Sequence, residues 1–129
     1  MINTPTAKQL NRIPKIYSTD ETNSKDNVVF MHFHLDAFSW YITEHDKNTD
    51  MFFGLKVLYS RKVSAGWLFV SFDALKELKR LGQEVICEVD WEPKKVKEVL
   101  LYWEIQKTNC STFILKKENR PWIQQPQKK

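Results

Sequence analysis

Apolar and polar residues alternate from Val28 to Leu35 and again from Phe38 to Glu44. This period of two is typical of β-strands, whose successive side chains point to opposite faces of the sheet. A two-residue turn at Asp36-Ala37 gives one continuous apolar face across a hairpin, because it pairs Leu35 with Phe38, Phe33 with Trp40 and Met31 with Ile42. The opposite face then carries His32, His34, Ser39, Tyr41, Thr43 and His45.

Three further strands are predicted after a polar turn at residues 46–50. Met51 to Tyr59 forms the third strand, and Gly54 in its interior indicates a bulge or a close approach of another backbone. Gly66 to Val70 forms the fourth strand. The fifth runs from Val85 to Trp91, where apolar residues alternate with Glu84, Ile86, Glu88 and Asp90.

Two helices are predicted from apolar residues at helical spacing. Ser71 caps the first, which buries Phe72, Leu75, Leu78 and Leu81 and ends at Gly82. The second begins at Pro93, runs to residue 107, and has an apolar stripe of Val96, Val99, Leu100 and Trp103. Leu101, Tyr102 and Ile105 lie outside that stripe, so this helix has more apolar surface than one contact requires.

These elements predict an α+β fold, an antiparallel sheet of about five strands with two helices packed on one face. We divide the chain into an N-terminal arm (1–27) that docks through residues 13–17, a single α+β domain (28–107), and a C-terminal tail (108–129) that is basic and contains aromatic residues. A length of 129 residues, with 42% hydrophobic and 28% charged residues, fits one folded domain and excludes a disordered or low-complexity chain.

The location and redox state follow from what the sequence lacks. No apolar run approaches the roughly 20 residues needed to cross a bilayer, and the first twelve residues do not form a secretory signal, so we expect a cytoplasmic protein. Cys87 and Cys110 are too few for a disulfide framework and are expected to be reduced thiols.

Positive charge is concentrated at the C-terminal end. Residues 1–92 contain 11 Lys and Arg against 13 Asp and Glu, whereas residues 93–129 contain 9 against 3, which together give the net charge of +4. A basic end attracts nucleic acid or an acidic protein surface, but a solvated lysine tail produces the same count.

Five segments recur in this order in a family of small bacterial domains of unknown function, which the chain resembles over roughly residues 13–100. They are Ile13-Pro14-Lys15-Ile16-Tyr17, Trp40 to Asp46, Phe52-Phe53-Gly54, Gly66 to Leu78, and Glu88-Val89-Asp90-Trp91. The resemblance implies a place on plasmids, phages and integrative elements, and so a part in the contest between mobile DNA and its host. It carries no catalytic residue. Ser60-Arg61-Lys62-Val63-Ser64 and the basic tail depart from the family pattern.

Sites for chemistry are weakly represented. His32 and His34 share a strand face and could supply two metal ligands, but His45 on the same face is about 13 Å from His32 at the usual strand rise. Glu44 points toward the apolar face, which favours a structural anchor over an acid or base. Glu92-Pro93-Lys94 matches a nuclease triplet only superficially, because proline breaks the strand that such a site needs. With three glycines in the chain and no phosphate loop, we expect no cofactor and no catalysis.

The main functional hypothesis therefore rests on surface residues: the chain is a non-catalytic binding protein of a mobile element. We expect it to inhibit or modulate a host defence protein or nucleoprotein of the restriction or RNA-guided nuclease type. The candidate partner-binding residues are Tyr41, Lys94, Lys95, Lys97, Tyr102, Trp103, Lys107, Lys116, Lys117 and Trp122. One alternative is binding of RNA or single-stranded DNA through the basic C-terminal region. The other is a small metal-dependent enzyme that uses His32 and His34.

Overall fold

The computed structural model describes residues 1–106 and 112–114. Its elements in chain order are α1 (Ala7–Asn11), a 3-10 helix (Ser24–Asp26), β1 (Val28–Val29), β2 (Met31–Leu35), β3 (Phe38–Asp46), β4 (Met51–Tyr59), β5 (Val63–Ser71), α2 (Phe72–Glu77), β6 (Lys79–Arg80), β7 (Gln83–Glu84), β8 (Ile86–Cys87), β9 (Lys94–Lys95), α3 (Val96–Gln106) and β10 (Thr112–Ile114).

The hairpin of β2 and β3 has the register predicted from its apolar face. Leu35 pairs with Phe38, Phe33 with Trp40 and Met31 with Ile42. Asp36 opens the two-residue turn in the left-handed region, with φ 55°. Aspartate tolerates this conformation better than most residues other than glycine. Its side chain also accepts a hydrogen bond of 3.0 Å from Arg80 Nε.

Five antiparallel strands in the order β5-β4-β3-β2-β8 form the central sheet of the described residues. The α+β class and the antiparallel sheet are thus confirmed. The backbone of β10 adds a parallel strand next to β5. The rest of the proposed 108–129 tail lies outside the described residues. No helix in the described part is long and apolar enough to cross a membrane.

A β-bulge at Thr43 interrupts the pairing of β3 with β4, because Ile42 lies opposite Gly54 whereas Glu44 lies opposite Phe53. A Cβ atom at Gly54 would lie 2.1 Å from the Tyr41 carbonyl oxygen, so the predicted close approach of backbone is confirmed. The extra residue reverses the alternation beyond it. His45 consequently packs with its ring 4.9 Å from Phe52, and the prediction that it shares a face with His32 is wrong. The predicted face of Glu44 is wrong for the same reason, because Glu44 lies opposite Phe53, which stacks on Trp67 of the second sheet face.

The two sheet faces are both covered by helices. On one face, Phe72 and Leu75 of α2 pack in a core with Phe33 and Phe52. On the other face, Val96, Val99, Leu100 and Trp103 of α3 pack on a second core that includes Tyr41, Leu55, Val57, Val63 and Ala65. The expectation that α2 and α3 share one face is therefore corrected, because the central strands offer apolar residues on both sides.

Several element boundaries differ from the prediction. Ser71 caps α2 by accepting a hydrogen bond of 3.1 Å from Ala74 N, as expected, but α2 ends at Glu77. Leu81 and Gly82 then form the left-handed turn between β6 and β7, with φ values of 53° and 79°. Leu78 and Leu81, both predicted to be buried, are 39% and 89% exposed. The fifth strand is limited to β8.

The start of α3 is also later than predicted. Lys94 and Lys95 form β9, which pairs with β1. The helix therefore begins at Val96 and not at Pro93. Its predicted buried stripe is observed.

The N-terminal arm is attached at several points along its length. Ile13 is buried in the first core, and the Pro14 carbonyl accepts a hydrogen bond of 2.8 Å from His45 N. Glu44 is fully buried and accepts hydrogen bonds from the backbone N–H groups of Tyr17 and Thr19, at 2.9 and 3.1 Å. These contacts are those of a structural anchor.

Candidate binding site

A half-open cavity of about 440 Å³ lies between α3 and the sheet face that carries His32. It is framed by four aromatic side chains, from β3, from the loop before β9 and from α3. The lining residues are His32, His34, Asp36, Ser39, Tyr41, Glu88, Trp91, Lys94, Glu98, Val99, Tyr102 and Trp103. Cavities that combine aromatic surface with a few polar groups are typical of binding sites.

Four of the predicted partner-binding residues, Tyr41, Lys94, Tyr102 and Trp103, lie together in this lining although they are up to 62 positions apart in the chain. Trp103 is buried and donates a hydrogen bond of 2.9 Å from its indole N–H to the Tyr41 hydroxyl. Tyr102 is 55% exposed, so its ring remains available at the cavity. The cavity thus joins residues that the sequence could only name separately.

The other predicted residues are not part of the cavity. Lys95 and Lys97 face the carboxylate of Asp26, at 3.8 and 3.5 Å. Lys107, Lys116, Lys117 and Trp122 lie outside the described residues.

His32 connects the floor of the cavity to its acidic edge. Its Nδ1 lies 2.6 Å from Glu88 Oε1, and its Nε2 lies 3.1 Å from Ser39 Oγ. Because a carboxylate only accepts, Nδ1 carries the proton and Nε2 accepts from the serine hydroxyl. Burial lowers the pKa of His32 to about 4, against the opposing effect of the hydrogen bond to Glu88. The imidazole is therefore neutral at pH 7.

The order Glu88, His32, Ser39 resembles the carboxylate, base and nucleophile of a hydrolase. Two features weaken this chemistry. A base with a pKa of about 4 has little tendency to take the serine proton at neutral pH. Ser39 also lies within a strand that is paired on both sides, where the neighbouring N–H groups take part in the sheet instead of forming an oxyanion site.

A metal ion bound by His32 and His34 would have to replace hydrogen bonds that His32 already makes. The rings of His32 and His34 are 5.3 Å apart, but both nitrogens of His32 already have hydrogen-bond partners. His45 bonds to Asp50 at 3.0 Å. Across residues 1–106 and 112–114, no three His, Cys, Asp or Glu side chains are grouped to hold a metal ion.

Acidic groups outnumber basic ones in the lining, with Asp36, Glu88 and Glu98 against Lys94. Lys94 Nζ lies 4.5 Å from the centre of the Trp91 ring, a cation–π contact within the cavity. The pKa of Tyr41 is raised because its hydroxyl is buried, although the Trp103 indole acts in the opposite direction. The hydroxyl of Tyr41 therefore stays protonated at neutral pH.

Six lining residues are not among the predicted site residues: Asp36, Ser39, Glu98, Val99, Glu88 and Trp91. The sequence pattern predicts that Trp91 fills the core and that Glu88 lies on a solvent-exposed strand face. The sequence of β4 does indicate that this face is covered, because Leu55 and Val57 make the second sheet face as apolar as the first. A strand that is apolar on both faces predicts that other elements pack on both sides.

Comparison of the chain with models of protein families, with curated proteins and with solved structures finds no match.

Proposed function

We propose that this protein is a non-catalytic binding protein that attaches to a larger host protein or nucleoprotein, and that the cavity between α3 and the sheet is its recognition site. The supporting observation is the meeting of Tyr41, Tyr102, Trp103 and Lys94 at one half-open cavity. Aromatic side chains of this kind contribute most of the binding energy at many interfaces.

The α3 surface beside the cavity supports the same proposal. Leu101 is 62% exposed and Tyr102 is 55% exposed, so α3 presents apolar side chains to solvent next to the cavity. Adjacent apolar side chains on a surface are a feature of interaction sites. A partner that covers Tyr102 would remove both the ring and the cavity opening from water.

We propose from the sequence motifs of residues 13–100, which we interpret as resembling those of mobile-element domains, that the partner takes part in host defence. A small protein that acts by occupying a host defence nuclease needs a recognition surface but no catalytic group, and the weak base at His32 agrees with that role.

Nucleic-acid binding through the basic C-terminal region is less well supported in the described residues. Lys95 and Lys97 share the carboxylate of Asp26, so part of the positive charge beside the start of α3 is balanced within the protein. Phosphate contacts by lysine depend on positive charge that is not neutralised locally.

Affinity capture from host lysate, with and without nuclease treatment, tests the proposal. The immobilised proteins are the wild type, Tyr102→Ser, and Leu81→Ser as a control at an exposed apolar position that does not line the cavity. We expect one host protein to be retained by the wild type and by Leu81→Ser, to resist nuclease treatment, and to be lost with Tyr102→Ser. Retention that disappears after nuclease treatment, or that is equal in all three proteins, would contradict the proposal.

A further inference from the structure

We infer that the cavity receives a cationic side chain, specifically the guanidinium group of an arginine on the partner protein. This inference rests on the proposed function and names the chemistry of the group that is bound. Three features of the cavity support it. The lining contains aromatic rings, its carboxylates outnumber its lysine, and Lys94 already lies against the ring of Trp91.

Tyr102 and Trp103 form an aromatic corner at the cavity. Their ring centres are 5.2 Å apart and their planes are at 85° to each other. Such a corner presents the face of one ring and the edge of the next, and the face is the electron-rich side that attracts cations. Tyr102 is half-exposed, so its ring is accessible to a ligand.

The remaining aromatic rings are already engaged within the protein. Tyr41 stacks on His32 with ring centres 4.4 Å apart and an interplanar angle of 8°. Trp91 has the ammonium group of Lys94 at 4.5 Å from its ring centre. The Lys94 contact shows that a cation is accommodated against the aromatic surface of this cavity.

The carboxylates around the cavity have capacity for a second partner. Glu88 uses Oε1 for His32, and its side chain is 45% exposed. Glu98 uses Oε2 to accept from Lys95 N, and Asp36 uses Oδ2 to accept from Arg80. Each of these hydrogen bonds engages one oxygen, while a carboxylate has two. Because Asp36 is paired with Arg80, the excess of negative charge over Lys94 comes from Glu88 and Glu98, and it opposes a phosphate and favours a cation.

Arginine fits this combination better than lysine. Its guanidinium group is planar, stacks on aromatic faces and donates to a carboxylate through two parallel N–H groups. One face of the group would lie on the ring of Tyr102 while its edge donates to Glu88. Lysine offers neither the flat face nor the paired donors.

Titration with N-acetyl-arginine amide, followed through the indole N–H signals of Trp91 and Trp103 in a ¹⁵N-labelled full chain, tests the inference. N-acetyl-citrulline amide is the matched neutral probe, because it has the same shape without the charge. We expect saturable shifts of both indole signals with the arginine probe. The citrulline probe should bind at least about fivefold more weakly, because it lacks the cation–π contact and the ion pair.

Two variants locate the site. Glu88→Gln removes one charge from the cavity, whereas Glu92→Gln removes one from an exposed position that does not line it. We expect about threefold to fivefold weaker arginine binding in Glu88→Gln and no change in Glu92→Gln. The wild-type comparison of arginine with citrulline decides the question even if a variant folds poorly.

Equal affinity for arginine and citrulline, or tighter binding of adenosine monophosphate than of arginine, would overturn the inference. The lysate experiment measures a separate property. Loss of a retained protein with Tyr102→Ser, combined with no preference for arginine, would keep the cavity as a recognition site and reject the cation. Arginine preference with equal lysate retention in all variants would support the cation site and reject the proposed function.

Discussion

Replacing Glu44 by alanine is the most direct test of how the N-terminal arm is held. The carboxylate is completely buried and accepts hydrogen bonds from Tyr17 N at 2.9 Å, from Thr19 N at 3.1 Å and from the Thr19 hydroxyl. The substitution removes the carboxylate that accepts from the backbone N–H groups of Tyr17 and Thr19. Because these groups lie in a partly buried region, water replaces the carboxylate only in part.

The size of the effect follows from these contacts. A buried donor that loses its acceptor costs about 1 to 3 kcal/mol, so the two backbone N–H groups together cost about 2 to 6 kcal/mol. We therefore expect Glu44→Ala to lower the free energy of unfolding by about 4 kcal/mol. Domains of this size have about 5 to 15 kcal/mol in all, so the variant remains folded but becomes markedly less stable.

Urea unfolding monitored by tryptophan fluorescence gives the free energy, and amide hydrogen exchange shows where the loss occurs. Exchange at Tyr17 and Thr19 should become much faster in Glu44→Ala. Thr19→Val is the graded control, since it removes one hydroxyl and should cost only about 1 to 2 kcal/mol. A loss below about 1 kcal/mol in Glu44→Ala, with exchange at these two amides unchanged, would refute the anchoring role.

Three other predictions follow from single contacts. Gly54→Ala should destabilise the protein by about 3 kcal/mol or more in urea unfolding, because its Cβ meets backbone at 2.1 Å, whereas Gly66→Ala has nothing within 4 Å and should change stability by less than about 1 kcal/mol. Burial lowers the pKa of His32 to about 4, so as the pH falls His32 becomes protonated in the unfolded chain at a higher pH than in the native protein. Stability should drop by up to about 3 kcal/mol between pH 6.5 and 4, and the drop should be smaller in His32→Gln. Burial raises the pKa of Cys87 to about 11, so in a Cys110→Ser background iodoacetamide at pH 8 should react slowly with the native protein and quickly after denaturation; equal rates would contradict this.

The hairpin is predictable because one physical rule determines it. A single register brings the apolar residues of β2 and β3 together, and a shift by one residue would expose them to water. The third strand is predicted at its observed limits, Met51–Tyr59, because a polar turn precedes it. Local patterns of this kind need no knowledge of distant residues.

The bulge at Thr43 shows where alternation stops being informative. Gly54 indicates that something irregular occurs, but it does not specify which strand carries the extra residue. The bulge lies in β3 and moves His45 next to Phe52. An alternating pattern assigns faces correctly only up to such a point, so the faces predicted for Glu44 and His45 are wrong while the face predicted for His32 and Tyr41 is right.

The predicted end of α2 is wrong for a different reason. Leu78 and Leu81 continue the helical spacing, but Leu81 and Gly82 both adopt the left-handed conformation of a hairpin turn. Pairing of Lys79 with Glu84 and of Arg80 with Gln83 then replaces the last helical turn. Spacing alone does not distinguish a buried leucine from one at the tip of a hairpin.

The cavity could not be predicted because the segments that form it are brought together by long-range backbone contacts. Trp91 donates from its indole N–H to Val29 O at 3.0 Å, and Val96 N, at the start of α3, donates to Asn27 O at 2.9 Å. Pairing of β1 with β9 holds Lys94 between these two points. Residues 27–29 therefore fix Trp91, Lys94 and the first turn of α3 relative to the sheet before any ligand is present. A site held in this way loses little conformational entropy on binding, so even a single arginine side chain would retain much of its interaction energy as affinity.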